Sequence, residues 1–397
     1  MKQRMSSVAV SKFDGKLFAP LRLCGKFSLF PAAQKANRVP RKGAKTQRMF
    51  IVLAVLMTML MTAQAQKTEK GVRVVPNEAA RRVDVIIDGQ PFTSYIWPDT
   101  LMKPVFYPLR TDKGTVVTRG FPMDPRPGER IDHPHQVGMW FNYGDVNGID
   151  FWNNSTARTA EEKTHMGTIL LRRIVSTKNG KDSGELEVET EWLMPDGQAS
   201  LRENTRFIFR AGPGLRAVDR ITTLTALDKK VVFKDSKEGV LGIRVRRELE
   251  QPSNESLVFT DDQGRPTAVP KMDNTGVAGL YRSSEGKTGD DVWGTRGRWT
   301  TLSGKVGEES ITLAILDHPK NVGHPTFWMA RGYGLFAANP LGQKAYTTEK
   351  KEPIKELNFA LEPNQSAIFR FRVLILSSAA TPEQMETQYR SFLGAVK

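Results

Sequence analysis

Apolar and polar residues alternate one by one along several stretches of this chain, and no other feature of the sequence constrains its fold as strongly. In the segment 185–192, ELEVETEW, glutamate occupies every second position. Successive side chains of a β-strand point to opposite faces, so the segment predicts a strand with a solvated face and a buried face. The segment 369–375, FRFRVLI, alternates in the same way. Strands with one solvated face are typical of antiparallel sheets.

Further alternating segments extend this pattern along the chain. They lie at 83–87, 167–175, 206–210 and 242–246. Turn signals such as Asp88-Gly89 and Asn179-Gly180 separate the segments. Because strands do not alternate with helical segments, the sequence predicts an all-β fold, a large antiparallel β-sandwich.

The C-terminal segment has clear helical spacing. Thr381 is a predicted N-cap, Pro382 takes the first helical position, and Gln384 completes a capping box. Apolar residues follow at helical intervals, at Met385, Tyr389, Phe392 and Leu393. The sequence therefore predicts one short C-terminal helix with one apolar face.

The segment 49–65 predicts a secretory signal peptide. Its apolar run, MFIVLAVLMTMLMT, follows basic residues and precedes Ala63-Gln64-Ala65. This is the order of a signal peptide, and the run is too short for a membrane span, although a buried apolar helix is the alternative. Signal peptides lie close to the N-terminus, so residues 1–48 predict an over-extended, disordered start. The remainder, 66–397, is predicted to form a single domain, periplasmic or secreted, with cleavage near Ala65.

Removal of residues 1–65 changes the charge balance. The full chain of 397 residues has 58 Lys and Arg against 43 Asp and Glu. Residues 1–65 hold 12 of these basic residues and one acid, which leaves 46 basic and 42 acidic residues. So small an excess does not indicate nucleic-acid binding. The cysteine, Cys24, is also in the removed part, and no later apolar run reaches the length of a membrane helix, so we expect neither a disulfide nor stable membrane insertion.

The segment 132–152, DHPHQVGMWFNYGDVNGIDFW, concentrates residues that can carry chemistry. His133 and His135 flank a proline, which favours extended backbone, and side chains at i and i+2 of an extended chain share a face. Both imidazoles are therefore predicted to point into one cavity as catalytic candidates. The candidate substrate-binding residues of the segment are Trp140, Asp145 and Asn147. Alternatively, the tryptophan belongs to the core and the two polar residues hold the loop.

A second segment, 317–339, repeats the Asp-His-Pro order and is predicted to form a composite site with the first. Asp317 and His318 are its catalytic candidates, although a histidine before proline is also a common turn residue. Its candidate substrate-binding residues are His324, Trp328, Arg331 and Asn339. A third cluster adds Glu238 as a catalytic candidate and Arg244 as a substrate-binding one.

Four motifs carry a resemblance to a known family: DHPH…G…WF…GDVNGIDFW, KEG…LGIRV, VWGTRGRW and LDHPKN…HPTFWMARGYGLFAANPLG. In order and spacing they resemble the family labelled DUF6807 or PmoA-like, over nearly the whole mature chain. The resemblance implies a secreted protein of the Bacteroidetes type with the supersandwich fold of galactose mutarotase-like proteins, many of which handle sugars. Gln136 and Met329 depart from the pattern, since the family usually has histidine at both positions, and Val137 replaces an arginine.

Given this resemblance, we expect acid–base chemistry on a saccharide or glycoside, without a metal or cofactor. His133 or His135 would act as the general acid, and Glu238 or Asp317 as the base, because His with Asp or Glu is the usual pair for such proton transfers. Substitution of His135 by alanine would then abolish turnover.

Other residues would position the substrate. Arg244 and Arg331 would bind its oxygens through planar donor forks, and Trp140 would provide a stacking face. A non-catalytic saccharide-binding protein is one alternative, favoured by the two missing histidines. A metal-dependent oxygenase, as the family label suggests, or a hydrolase is another. Its candidate ligands are His133, His135 and either Asp317 or Asp132.

Overall fold

The structure, a computed structural model, describes residues 70–261, 265–269, 271–347 and 355–396. The predicted over-extended start and the predicted signal peptide lie outside the described residues. Within them, two eight-stranded antiparallel sheets pack face to face around a common apolar core. The predicted all-β antiparallel sandwich is confirmed.

Strands that lie side by side in the two sheets are often distant in the sequence. In spatial order, the first sheet contains β1 (Val72–Asn77), β2 (Arg82–Ile87), β3 (Gln90–Ile96), β4 (Val105–Phe106), β5 (Met139–Tyr143), β11 (Gly239–Arg244), β18 (Leu335–Asn339) and β17 (Phe327–Ala330). The second contains β14 (Leu280–Ser283), β15 (Trp299–Val306), β16 (Glu309–Asp317), β20 (Ser366–Leu376), β9 (Leu215–Ala226), β8 (Ala199–Gly212), β7 (Ser183–Leu193) and β6 (Thr168–Lys178). Two small ribbons pair β10 (Val231–Phe233) with β19 (Phe359–Leu361) and β12 (Leu257–Thr260) with β13 (Pro266–Val269).

The helices are short compared with the strands. They are α1 (Ala160–Lys163), α2 (Lys344–Thr347) and α3 (Pro382–Ala395), with single 3₁₀ turns at Glu78–Ala80, Arg247–Leu249 and Gly289–Val292. In the part of the chain that the structure describes, no helix has the length and apolar character needed to cross a bilayer.

Strand β7 shows why residue-by-residue alternation predicts this fold. Its residues Leu186, Val188 and Trp192 are buried between the sheets, and the glutamates between them lie half-buried on the opposite face. These glutamates meet basic residues of the neighbouring strands, as where Arg206 Nη2 of β8 donates to Glu185 Oε1 at 2.6 Å. Ion pairs near the surface stabilise little, so burial of the apolar face fixes the orientation of the strand.

Strand β6 forms one edge of the second sheet and is irregular. Its register against β7 shifts between Leu171 and Arg173 and again between Ile174 and Ser176. Register shifts of this kind mark β-bulges, in which an extra residue bends and twists the strand. Edge strand β6 is therefore twisted at two places along its length.

Helix α3 has the predicted capping box. Thr381 Oγ1 accepts a hydrogen bond from Gln384 N at 3.3 Å, and Gln384 Oε1 accepts one from Thr381 N at 2.9 Å. The buried face of the helix, Met385, Tyr389 and Phe392, packs on the outer face of the second sheet. The predicted C-terminal helix is confirmed.

We expect Thr381→Ala to lower the free energy of unfolding by about 1 kcal/mol, because the Gln384 N–H in the first turn of α3 loses its acceptor, Thr381 Oγ1. Urea unfolding of the purified protein measures this change. Thr381→Ser keeps the hydroxyl and should remain within about 0.5 kcal/mol of the original protein. Equal losses in the two variants would contradict the capping role.

Candidate active site

The outward face of the first sheet has an apolar floor. Trp140 of β5, Ala337 of β18 and Met329 of β17 lie on this face, in register with one another across the strands. Gly242 of β11 allows the close packing, because a Cβ atom there would lie 2.6 Å from Trp140 Cζ2. The polar candidates stand on loops around this floor.

The buried guanidinium of Arg119 holds the loop that carries both predicted histidines. It donates to the backbone carbonyls of Arg130 (3.3 Å), Asp132 (2.9 Å), His133 (3.0 Å) and Gln136 (3.1 Å). It also pairs with the Asp132 carboxylate. A planar fork of five donors can make this set of bonds, whereas a lysine ammonium cannot.

Replacing Arg119 with lysine should therefore lower the free energy of unfolding by about 2 kcal/mol, because it leaves buried carbonyl groups without donors. Arg110→Lys is the matched control, since the Arg110 side chain is partly exposed and donates to a single carbonyl, that of Gly114. We expect the control, Arg110→Lys, to lower the free energy of unfolding by less than about 0.5 kcal/mol. Chemical denaturation compares the two, and a control that loses as much would refute the anchoring role.

Asp132 and His133 form a pair at the rim of the floor. His133 Nδ1 lies 3.3 Å from Asp132 Oδ2, and 42% of the histidine side chain is exposed. Its ring stacks on Tyr333, with centroids 5.1 Å apart and planes 2° apart. The backbone of His133 has φ 42°, in the left-handed region that residues other than glycine rarely adopt. One ring nitrogen is thus held by an acid while the other remains for proton transfer.

Two guanidinium groups keep Asp132 ionised. Burial raises the pKa of Asp132, but the hydrogen bond from His133 and the charges of Arg244 and Arg119 outweigh burial and hold the pKa well below its usual value. Arg244 Nη2 lies 2.6 Å from Asp132 Oδ1, and its guanidinium lies 4.7 Å from the Tyr333 ring centroid. Arg244 is fully buried, so it supports this pair rather than standing open to a substrate as predicted.

Glu238 is a half-buried carboxyl that precedes β11. In the described part of the chain, no hydrogen bond or ion pair engages its carboxylate. Burial raises the pKa of Glu238, Asp150 adds to this increase, and the charges of Lys237, Arg331 and His133 oppose it. A carboxyl with a raised pKa and no partner is suited to accepting and returning a proton.

Arg331 completes the polar surroundings. Its guanidinium centre lies 3.5 Å from the Trp293 ring centroid, and both residues line a cavity of about 420 Å³ together with Tyr333. Burial raises the pKa of Tyr333, and the charges of Arg331 and Glu238 both act on it. The charges of Arg331 and His133 act on Glu238, and the His133 ring stacks on Tyr333, so we call the region of these four residues the outer cleft. Arg331 and Tyr333 line the cavity, and His133 and Glu238 lie outside its lining.

His135 does not share the surroundings of His133, which corrects the prediction of one cavity for both rings. The ring centroids are 5.6 Å apart, but His135 is buried and lines a separate small cavity. Burial, followed by the charge of Lys103, lowers the pKa of His135 to about 2. An imidazole that is neutral at ordinary pH lacks the proton that a general acid donates, so this position does not support the predicted role.

Asp317 and His324 organise a loop and do not border the outer cleft. Asp317 is fully buried and accepts hydrogen bonds from Asn321 Nδ2 (2.7 Å), His324 Nδ1 (2.8 Å) and Thr326 N (2.9 Å). Burial raises the pKa of Asp317, and the hydrogen bond and charge of His324 oppose that shift. These groups are engaged with each other, which argues against the catalytic role of Asp317 and the substrate role of His324; both roles stay predictions.

His318 lies on the other side of the molecule, against α3. Its ring contacts Phe392 with centroids 5.4 Å apart, and its Nδ1 accepts a hydrogen bond from Lys320 N. This position fits the alternative noted for His318, a turn residue, and its catalytic role stays a prediction. Of the predicted residues in the second segment, Arg331 reaches the outer cleft, so the composite site forms only in part.

The remaining predicted substrate-binding residues are Trp140, Asp145, Asn147, Trp328 and Asn339. The two tryptophans are buried in the floor and in the core between the sheets, at 1% and 0% exposure. Side-chain oxygens of the three polar residues accept hydrogen bonds from backbone N–H groups, at Gly148, Val232 of β10 and Leu341 respectively. Packing and these hydrogen bonds already occupy the five side chains, so the structure gives their substrate roles, which stay predictions, no support.

Gln136 and Met329, the two departures from the family pattern, are both buried. Gln136 Oε1 accepts a hydrogen bond from Arg244 Nη1, and the side chain also bonds Tyr333. Met329 belongs to the apolar floor. Gln136 thus connects the guanidinium behind Asp132 to the aromatic ring under His133.

The described residues offer no ligand set for the metal-dependent alternative. No group of three or more His, Cys, Asp or Glu side chains among them is placed to hold a metal ion. Of its candidate ligands, Asp317 is engaged by His324, and His135 lies in other surroundings than His133.

Three residues that shape the site were not predicted. Tyr333 and Trp293 each lie beside glycine, in ARGYG and VWG. An aromatic residue in a glycine-containing turn is a signal that was available in the sequence. Arg119 has no such signal, because its role depends on carbonyl groups that converge only in the folded chain.

Comparison with known families identifies the chain. DUF6807, described as a family of unknown function, matches residues 82–390. The chain belongs to the DUF6807 family. The match runs from β2 into α3 and so includes every residue of the outer cleft. No curated protein matches this DUF6807 chain.

Several solved structures are similar to the DUF6807 chain. A protein from Synechocystis sp. PCC 6803 has 9% identity and a TM-score of 0.31, covering 78% of this chain and 97% of its own. The α-galactosidase from Lactobacillus brevis has 10% identity and a TM-score of 0.34, and the alignment covers 83% of this chain and 42% of the enzyme. This chain therefore spans less than half of that enzyme. A galactose mutarotase related enzyme from Lactobacillus acidophilus has 10% identity and a TM-score of 0.25, and the alignment covers 78% of this chain and 98% of that enzyme. At TM-scores this low, the similarities carry no argument about activity.

Proposed function

We propose that this DUF6807 chain is an exported carbohydrate-active enzyme that transfers protons to and from a saccharide or glycoside in the outer cleft. One observation supports this above all. Glu238, a half-buried carboxyl whose carboxylate is unpaired within the described residues, is near enough to His133 for the charge of that imidazole to act on its pKa, and Asp132 holds His133. A carboxyl of raised pKa and a positioned imidazole are the pair that proton transfer at a sugar oxygen requires.

The roles follow from the surroundings of each group. Glu238 acts as the base toward a sugar hydroxyl, and His133 acts as the acid toward a ring or glycosidic oxygen. Arg331, whose guanidinium lies over the Trp293 ring, donates to further substrate oxygens through its planar fork. Tyr333 fixes the orientation of the imidazole by stacking. The predicted signal peptide supports export to the periplasm or beyond.

The test is a substrate panel on the mature chain. Free hexoses, pentoses and uronic acids are followed by NMR for exchange between anomers, and aryl glycosides for release of the aryl group. We expect turnover of at least one substrate by the original protein and none by the double variant His133→Ala, Glu238→Gln. Equal turnover in both proteins would overturn the assignment.

A saccharide-binding protein without turnover is the second candidate. It is favoured by Gln136, because a buried amide bonded to Arg244 stands where the family usually has a histidine. Calorimetric titration on the same panel separates the two candidates. Binding without turnover supports the saccharide-binding protein. The absence of both binding and turnover refutes both candidate functions.

A further inference from the structure

A second polar cavity lies behind the loop of the two histidines, outside the outer cleft. Lys103, His135, Asn154 and Ser155 line it together with apolar residues such as Val137, and its volume is about 20 Å³. A cavity needs about 10–15 Å³ to hold one water-sized particle. There is therefore room for a single atom or ion of that size.

Several of the polar groups that line this cavity lack hydrogen-bond partners among the described residues. Both ring nitrogens of His135, Asn154 Oδ1 and Ser155 Oγ have no hydrogen bond to any described residue, although these side chains are only 4–5% exposed. The Asn154 amide is oriented, because its Nδ2 donates to Gly167 O at 2.8 Å. Buried polar groups are nearly always hydrogen-bonded, so several unpaired groups in one cavity indicate a bound particle.

The charges around the cavity decide what the particle is. The Lys103 ammonium is 4% exposed and donates to the carbonyl of His135 at 2.8 Å. Burial lowers the pKa of Lys103 to about 7, and Asp150 opposes this shift. The charges that lower the pKa of His135 after burial are all cationic: Lys103, His133, Arg158 and Arg119. The charged group that acts on Lys103 itself is the Asp150 carboxylate. A buried ammonium is costly without a close partner, and an anion beside it reduces that cost more than a single water does.

We propose that this cavity binds a small inorganic anion of halide size, chloride, between the Lys103 ammonium, a ring N–H of His135 and the Ser155 hydroxyl. The three groups supply hydrogen-bond donors, and the volume admits one monatomic ion. Asn154 Oδ1 is an acceptor and is not a ligand of the ion. Polyatomic anions such as sulfate and gluconate are too large. The ion lies behind His133 and compensates the charge of Lys103.

Halide titration of the full chain tests the proposal. At about pH 6, sodium chloride should raise the melting temperature saturably, relative to sodium gluconate at the same ionic strength. At about pH 9, the apparent Kd should rise roughly 100-fold, because the anion requires the protonated ammonium and each pH unit above its pKa reduces affinity about tenfold. A response that is equal for gluconate, or unchanged by pH, would refute anion binding.

Variants locate the ion. Lys103→Met should remove the chloride response, whereas Lys113→Met, at an exposed lysine, should keep it. Ser155→Ala retains the ammonium and should weaken chloride binding about tenfold, as expected for the loss of one hydrogen bond to an ion. This variant tests the site if Lys103→Met does not fold. Crystals grown in sodium bromide provide a direct measurement. Anomalous scattering beside Lys103 Nζ supports the proposal, and a water there with no bromide signal overturns it.

Discussion

Replacing Glu238 with glutamine should lower kcat/KM by about 10²- to 10⁴-fold, the range that a positioned proton-transfer group contributes. Glutamine preserves the size of the side chain and the packing of Gly144 against Glu238 Cβ, but it cannot accept a proton. Steady-state kinetics on the best substrate of the panel measures the loss. Glu187→Gln, on the solvated face of β7, is the matched control and should leave kcat/KM unchanged.

The pH profile provides an independent test of the same residue. A base must be deprotonated, so kcat/KM falls as the pH falls through its pKa. Since burial raises the pKa of Glu238 above its ordinary value of 4.5, the acidic limb should lie above pH 4.5. The limb should disappear in Glu238→Gln. A variant that retains both the rate and the limb would show that another group takes the proton.

Replacing Asp317 with alanine should lower the free energy of unfolding by about 3–5 kcal/mol and leave kcat/KM within about threefold. The substitution leaves three donors without an acceptor, on Asn321, His324 and Thr326, in a loop that the carboxylate holds together. Urea unfolding measures the stability, and kinetics well below the unfolding transition measure the activity.

Controls separate a structural from a catalytic role for Asp317. Asp182→Ala, at an exposed aspartate, should cost less than about 0.5 kcal/mol. Asp317→Asn retains one acceptor oxygen, so its free energy of unfolding should lie between those of Asp317→Ala and the original protein. A stable alanine variant with a large loss of kcat would restore the catalytic role predicted from the sequence.

The sandwich was predictable because the alternation of apolar and polar residues determines which face of each strand is buried. In β7 a period of two places Leu186, Val188 and Trp192 on one face, whatever lies elsewhere in the chain. The capping box of α3 is equally local, since Thr381 and Gln384 lie three residues apart. What could not be read was which strands neighbour one another. The order of the first sheet places β5 beside β11, across a separation of almost a hundred residues.

The candidate site was predicted less well, for a physical reason. Composition identifies side chains that can carry chemistry, but burial and pairing decide whether they do. His133 and His135 are equivalent in the sequence and differ completely in exposure. Asp317 and Glu238 were both predicted as bases, yet three donors occupy the former while the described part of the chain leaves the carboxylate of the latter unengaged. These differences depend on neighbours distant in sequence, so no local pattern records them.

The twisted edge strand β6 bears on how a concentrated solution of this protein behaves. Strand β6 exposes Leu170 and Val175, at 39% and 43%, beside backbone groups at the end of a sheet. A flat edge with such residues would invite a second molecule to extend the sheet and start an aggregate. The two bulges bend the backbone out of line, and Arg172 and Arg173 add charge at the same place. Self-association along this edge is thereby discouraged.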